Sequence, residues 1–117
     1  MVRRGDVLPM FEVTTVAGEV FSYDTVWQHR NLVLVVVADP GDPLVSALRS
    51  HASEFHALDA ACVITTNALD GMPVPGALVA DRWGEILHIG ERPAVDELLE
   101  WAQHSQHRCP ECEGEAR

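Results

Sequence analysis

The stretch "LVLVVVADPGDPLVSAL", residues 32–48, sets the plan of the chain. Its first seven residues form an unbroken apolar run rich in β-branched side chains, which predicts a central strand buried on both faces. Asp42 then stands where a helix N-cap residue would be, and Pro43 stands where the first helical residue would be. The stretch therefore predicts a strand, a tight loop and the start of a helix.

The elements on either side of this stretch extend the same pattern. Apolar residues continue at helical spacing as far as Leu58, and a second buried strand, "ACVITT", follows at residues 61–66. A strand, a helix and a strand of this kind predict a parallel pair with a right-handed crossover. Upstream, residues 11–21 predict a hairpin with its turn at Ala17-Gly18.

The second half of the chain predicts antiparallel strands and a covering helix. Residues 76–81 and 85–90 form two short apolar runs around the turn Asp81–Gly84, which is typical of a hairpin. A last helix begins at Pro93, with apolar side chains at helical spacing. We therefore expect an α/β fold in which helices flank a central mixed sheet and a β-hairpin precedes it.

Composition narrows the class of protein. The chain has 117 residues, 47% of them apolar, with a net charge of -10. One domain with a real core fits these totals, and the acidic balance argues against nucleic acid as a partner. No apolar stretch is long enough to cross a membrane and the N-terminus lacks the apolar core of a signal peptide, so we expect a cytoplasmic protein without a membrane partner.

Several residues before and after the central strand fit a known pattern. Gly5, Pro9, Phe11 and Gly18 precede the strand at characteristic positions, and "PVPGALVADRWGEILHIG", residues 73–90, follows. This order resembles the thioredoxin fold and, more narrowly, the redoxin group of AhpC/TSA peroxiredoxins and their thioredoxin-like relatives. The resemblance implies a thioredoxin-like domain over residues 1–103, followed by a polar tail at residues 104–117.

The same resemblance directs attention to the start of the helix after the central strand. Relatives carry a Cys-x-x-Cys pair there, because the exposed amides and dipole of a helix N-terminus favour a thiolate. In this chain the four positions are Gly41, Asp42, Pro43 and Leu44, so the usual thiol chemistry is not expected at this corner. The resemblance also implies that Pro75 is cis and that its neighbourhood forms a binding groove, with the residues Gly41, Asp42, Pro43, Leu44, Val74 and Pro75.

The tail offers a second place for thiol chemistry. Cys109 and Cys112 form a Cys-Pro-Glu-Cys pair, in which one cysteine would attack a disulfide and the other would resolve it. A thiol reductant or a protein partner would supply the other half of the exchange. The negative end of the preceding helix and Glu111 work against this, because they disfavour a thiolate.

A metal site is the alternative interpretation of the tail. Zinc binds Cys and His in tetrahedral geometry, and the tail holds four such groups within nine residues: His104, His107, Cys109 and Cys112. They would complete a site within one chain, or two chains would each give a cysteine pair to one metal and form a homodimer. An inert, solvated tail is the third interpretation.

The remaining candidates are expected to be structural. Cys62 lies in a buried strand and is expected to pack as a small apolar residue. We expect His51, His56 and His88 to face solvent. The sequence thus favours a redox-associated protein whose reactive pair is Cys109 and Cys112, and the alternative is a non-catalytic binding or structural domain with a zinc site in its tail.

Overall fold

The computed structural model describes residues 4–67, 69, 71–92 and 94–106. Within them the strands are β1 (Glu12–Thr14), β2 (Val20–Ser22), β3 (Asn31–Val36), β4 (Ala60–Thr65), β5 (Gly76–Ala80) and β6 (Ile86–Glu91). The helices are α1 (Pro43–Ser50), α2 (Ala52–Ala57) and α3 (Val95–Gln106). A short 3-10 turn at Tyr23–Thr25 precedes β3.

The main sheet has four strands in the order β4-β3-β5-β6, and β1 and β2 form a separate antiparallel hairpin. β3 pairs with β4 in parallel and with β5 in antiparallel orientation. All six residues of β3 are buried, as the unbroken apolar run predicts. The expected mixed sheet and N-terminal hairpin are both present, and Gly18 turns the hairpin with a φ of 87°.

The two faces of β3 divide the core between them. Leu32, Leu34 and Val36 pack with Tyr23 and the N-terminal segment, whereas Val33 and Val35 face the helices. α3 lies across the helical face, where Leu98 and Ala102 are fully buried. The alternation of the β3 side chains between two apolar layers is what fixes this strand at the centre of the molecule.

The helical segment after the central strand differs from its prediction. The sequence predicts continuous helix from Pro43 to Leu58, but the structure ends α1 at Ser50 and begins α2 at Ala52. His51 stands between them with φ -105° and ψ 14°, and its Nδ1 lies 2.8 Å from the carbonyl oxygen of Ala47. The bend lets Leu48 and Phe55 both pack onto the sheet.

The turn between β5 and β6 is held by one buried carboxylate. Asp81 Oδ1 accepts hydrogen bonds from the amides of Trp83, at 2.9 Å, and Glu85, at 3.0 Å. Gly84 follows with a φ of 90°, a conformation that glycine adopts readily. The predicted hairpin turn at Asp81–Gly84 is confirmed. Among the helices of the described residues, none combines the length and apolar character that spanning a membrane requires.

Candidate functional site

The corner between β3 and α1 is where the resemblance places thiol chemistry, and here it is filled by two carboxylates. Asp42 Oδ1 accepts a hydrogen bond of 2.8 Å from the amide of Leu44, so Asp42 is the predicted N-cap of α1. Asp39 Oδ1 accepts a bond of the same length from the amide of Gly41. Both amides would otherwise be available to an anion.

These carboxylates change what the corner can do. A thiolate at a helix start is stabilised by unpaired amides and by the helix dipole. Here the side chains of Asp39 and Asp42 already use two of those amides, and their negative charges would repel a second anion. With no cysteine between residues 38 and 47, the corner is built as a capped loop.

The second part of the expected groove lies at the same end of the sheet. The Val74-Pro75 peptide bond is cis, as the resemblance implies, and Val74 is 47% exposed. Gly76 pairs with Val36 at the end of β3, which brings Pro75 to the edge from which the corner loop departs. A Cβ at Gly76 would collide with the carbonyl oxygen of Pro73, so only glycine fits there.

The hollow beside this proline has a different lining from the expected groove. It measures about 310 Å³ and is lined by Pro73, Val74, Pro75, Glu91 and Arg92. The corner residues Gly41, Asp42, Pro43 and Leu44 are not part of that lining. The two halves of the predicted groove thus lie at one end of the sheet, and the hollow beside Pro75 is lined by the proline half alone.

Cys62 is the cysteine that the described residues contain, and its thiol is held in the protonated form. It lies in β4, partly buried, against the helical side of the sheet. Burial raises the pKa of the Cys62 thiol to about 12, because the surrounding apolar groups cannot solvate a thiolate. This residue packs as the sequence predicts and lacks the acidity of a reactive cysteine.

Most of the candidate thiol and metal-binding residues of the tail lie outside the described residues. His107, Cys109 and Cys112 lie outside the described residues. His104 is exposed in the last turn of α3, where its ring meets the edge of Trp101 at a centroid distance of 5.7 Å. Over residues 4–106, gaps aside, no three His, Cys, Asp or Glu side chains gather closely enough to hold a metal.

Sequence reasoning missed a cluster between β6 and α3. His88 Nε2 lies 3.1 Å from Glu97 Oε1, and the His88 ring stacks on Trp101 at 5.0 Å. Arg4 lies over the Trp101 ring at 5.7 Å. The expectation that His88 faces solvent is wrong in part, because this stacking leaves its side chain only 21% exposed. Among the other histidines, His56 is exposed as predicted, whereas His51 is half-buried.

The spacing of Glu97 and Trp101, four residues apart on α3, was a signal that could have been read from sequence, since such residues share one helical face. The strand partner carried no such signal. Pairing His88 with that face requires the tertiary contact between β6 and α3.

This architecture is similar to that of several solved peroxiredoxin structures. The reduced 2-Cys peroxiredoxin of Plasmodium vivax superposes with a TM-score of 0.70 at 13% identity, covering 92% of this chain and 83% of that one. Peroxidoxin BcpB of Mycobacterium tuberculosis gives 0.66 at 14% identity, covering 93% and 100%. The fold is thioredoxin-like.

A third similar structure is the yeast mitochondrial 1-Cys peroxiredoxin, with a TM-score of 0.62 at 18% identity over 85% of this chain and 74% of that one. Neither a protein-family model nor a curated protein sequence matches the chain. The thioredoxin-like fold that the sequence resemblance implied is confirmed. At these identities the likeness establishes the fold, and the chemistry must be argued from the residues of this chain.

Proposed function

We propose that the chain is a redoxin-like thiol–disulfide exchange protein whose reacting thiols are Cys109 and Cys112. The thioredoxin-like domain is then the scaffold that carries the pair. The observation behind this proposal is the state of the third cysteine: burial keeps Cys62 protonated, with a pKa of about 12. The chain has three cysteines, so thiol chemistry in this chain falls to the tail pair.

The capped corner supports the same assignment. Because Asp39 and Asp42 occupy the amides at the start of α1, the position used by relatives offers neither a thiol nor a vacant anion site. The exchange proceeds by attack of one tail thiolate on a disulfide of the partner, which breaks that bond and releases one partner thiolate. The second tail cysteine then attacks the mixed disulfide, releasing the reduced partner and leaving a Cys109–Cys112 disulfide.

A thiol reductant returns the pair to its reduced form. Among the similar structures, the yeast mitochondrial 1-Cys peroxiredoxin has a thiol-resolving mechanism that works through glutathione and thioredoxin systems. A small thiol of the glutathione type is the reductant that we assign to this chain. The tail pair is expected to be slow, because the negative end of α3 and the nearby glutamates raise the energy of a thiolate.

The test is reduction of insulin disulfides with dithiothreitol as reductant, followed by turbidity. Cys109→Ser and Cys112→Ser are each expected to lower the rate to that of dithiothreitol alone. Cys62→Ser is the matched control and is expected to keep the wild-type rate. Equal rates for all four proteins, or loss of activity only in the Cys62 variant, would overturn the proposal.

Zinc binding by the tail is the second candidate function. Its supporting observation is His104, which the last turn of α3 presents to solvent three residues before His107. With Cys109 and Cys112 these histidines offer the four ligands that tetrahedral zinc takes. The chain would then be a non-catalytic binding domain, and a metal shared between two chains would make it a homodimer.

Native mass spectrometry of protein purified without reductant or chelator separates the two candidates. One zinc per chain, or one per dimer, that disappears in Cys109→Ser would establish the metal site and contradict the exchange proposal. A metal-free chain lighter by two protons, with the disulfide mapped to Cys109 and Cys112, supports exchange. A metal-free chain that stays fully reduced in air argues against both.

A further inference from the structure

β4 is an edge strand of the main sheet. The order β4-β3-β5-β6 leaves β4 with one ladder partner, β3, to which it pairs in parallel from Ala60 to Thr65. An edge strand presents a row of unpaired amides and carbonyls to whatever lies beside it. Whether β4 can pair with a further strand therefore depends on which groups already bond to this row.

The hydrogen bonds at the two ends of the ladder fix which residues face β3. The amide of Asn31 donates to the carbonyl oxygen of Asp59, and the amide of Val37 donates to that of Thr65. In a parallel ladder the backbone groups of successive residues point alternately to opposite sides. The odd-numbered residues of β4 therefore face β3, and the even-numbered residues face outward.

Two of the outward carbonyls are taken by the protein itself. Arg30 Nη2 donates to the carbonyl oxygen of Ala60 at 3.1 Å, and the amide of Val16 donates to that of Ile64 at 2.9 Å. Cys62 lies between them, and none of the described residues bonds its outward amide or carbonyl. Among the residues that the structure describes, the middle of the edge is thus unpaired, whereas a carbonyl at each end is already hydrogen-bonded.

A groove runs along this open edge, and we call it the β4 groove. It measures about 630 Å³. Its floor is β4 around Cys62, one wall includes Phe21 and Arg30, and the other includes Arg49, Phe55 and His56. Beyond Cys62 it adjoins a smaller hollow of about 340 Å³ under the hairpin, where Glu19 lies.

The charge of the β4 groove is opposite to that of the molecule. The chain carries 18 acidic and 8 basic residues, yet the lining of the larger hollow holds two arginines and a histidine and no carboxylate. Arg30 is also paired with Asp59, at 3.6 Å. Arg49 is exposed on the opposite wall. The arginines of the groove therefore attract an acidic ligand, although the net negative charge of the protein as a whole repels it.

We propose that the β4 groove binds an acidic, extended peptide segment of another protein as an added strand. The backbone of the segment hydrogen-bonds to the outward amide and carbonyl of Cys62, which supplies register. Its side chains alternate between the two walls, so that its carboxylates all face the wall of Arg49 and its apolar side chains face the wall of Phe21. This inference is independent of the tail chemistry, because it uses no residue of the tail.

The test is fluorescence anisotropy with a labelled seven-residue peptide of alternating glutamate and valine. We expect saturable binding that weakens as NaCl is raised, since exposed ion pairs are screened by salt. A peptide with lysine in place of glutamate and a peptide N-methylated at every internal amide are both expected to fail. The first removes the charge match and the second removes the backbone donors.

Variants of the protein locate the site. Arg49→Glu is expected to weaken the glutamate peptide at least about tenfold, whereas Arg92→Glu, the same charge change at an exposed site outside the groove, leaves the affinity within about twofold. Cys62→Pro removes the outward amide without taking a donor from the β3 ladder, an edge position where proline is tolerated, and should also weaken binding at least about tenfold. Should Cys62→Pro unfold, as judged by circular dichroism, Arg49→Glu and the N-methylated peptide still carry the test.

Four outcomes would overturn the proposal. They are equal binding of the lysine peptide, no effect of Arg49→Glu, a dimer formed through β4 that excludes the peptide, and peptide binding that appears only after Glu111, Glu113 and Glu115 are changed to glutamine. The third would assign the edge to a second copy of the chain, and the fourth would assign it to the chain's own tail.

Discussion

Single carboxylates decide the chemistry of the corner before α1. Asp42 was predictable as an N-cap because Pro43 follows it, but the bond from the Gly41 amide to Asp39 was not, since it depends on the exact turn. The corner thus retains the helix start of its fold, and the chain's own carboxylates bond the amides that would otherwise bind an anion. The consequence can be tested by returning a thiol to it.

Gly41→Cys is expected to yield an unreactive thiol, because a Cβ at position 41 would lie 3.4 Å from Asp39 Oδ1. Adding Asp39→Asn and Asp42→Asn removes both charges, and asparagine remains a good N-cap. Alkylation by iodoacetamide at pH 7 should then be several-fold faster than with Gly41→Cys alone, since a lower thiol pKa gives more thiolate. Equal rates would show that the aspartates do not suppress a thiolate here.

The buried hydroxyl of Tyr23 makes the stability of the fold depend on pH in the alkaline range. Burial, with a smaller effect of Asp81, raises the pKa of Tyr23 from 10.0 to about 12. The unfolded phenol ionises first, so stability falls as the pH rises from about 10 through about 12. Burial also raises the pKa of Cys62 to about 12, which adds a loss in the same direction.

Tyr23→Phe should therefore flatten the stability profile over that pH range. At pH 7 the change should be neutral or stabilising, because the Tyr23 hydroxyl is buried without a hydrogen-bond partner in the described structure. Urea unfolding at pH 7 and at pH 11 measures both effects. The residual alkaline loss should disappear when Cys62→Ala is added. A loss at pH 7 above about 1 kcal/mol would mean that the hydroxyl stabilises the fold.

At the scale of elements, β3 was the most predictable part and the helices were the least. The apolar run of β3 has one explanation, burial between two layers, and its pairing followed from the β-α-β order. The stacking of His88 on Trp101 depends on a contact distant in sequence, and the break at His51 accompanies the packing of Leu48 and Phe55 into the core. Local periodicity carries no information on such contacts, so the predicted helix was continuous and His88 was placed in solvent.

The docking of α3 should depend on Trp101. This side chain is stacked on His88 and meets Arg4, although it is only partly buried. Trp101→Ala should lower the free energy of unfolding by about 2 kcal/mol, less than for a fully buried tryptophan. Glu100→Ala, the exposed neighbour, should change it by no more than about 0.5 kcal/mol. Equal effects in urea unfolding would show that the cluster does not anchor the helix.

At the scale of the whole molecule, the net charge of -10 is a destabilising force. Like charges repel more strongly in the folded chain than in the expanded unfolded chain. Raising NaCl from about 0.01 M to about 0.15 M shortens the screening length from about 30 Å to about 8 Å. We expect the thermal midpoint to rise by a few degrees over this range, as followed by circular dichroism.

Thermal midpoints measured over a series of sucrose concentrations are the control. Sucrose does not screen charge but stabilises proteins because it is excluded from their surface. A rise in NaCl that begins at the lowest concentrations and then levels off is the signature of screening. A midpoint that stays constant or falls in this range would mean that self-repulsion is not a significant part of the stability.

The tie between the N-terminal hairpin and β4 has a consequence for local unfolding. The hairpin is tied to the end of β4 by the isolated bridge Thr15 to Thr65, by the bond from the Val16 amide to the Ile64 carbonyl, and by a bond of 2.6 Å from Thr65 Oγ1 to the carbonyl oxygen of Thr14. The amide of Thr14 also donates to Asn67 Oδ1, just beyond β4, at 3.0 Å. These bonds lie at residues 14–16, outside the main sheet, and should open in sub-global fluctuations that leave β3 intact. The amide of Val16 should therefore exchange its hydrogen with solvent much sooner than that of Leu34. Each opening would also uncover the Ile64 carbonyl and lengthen the vacant strand edge by one acceptor.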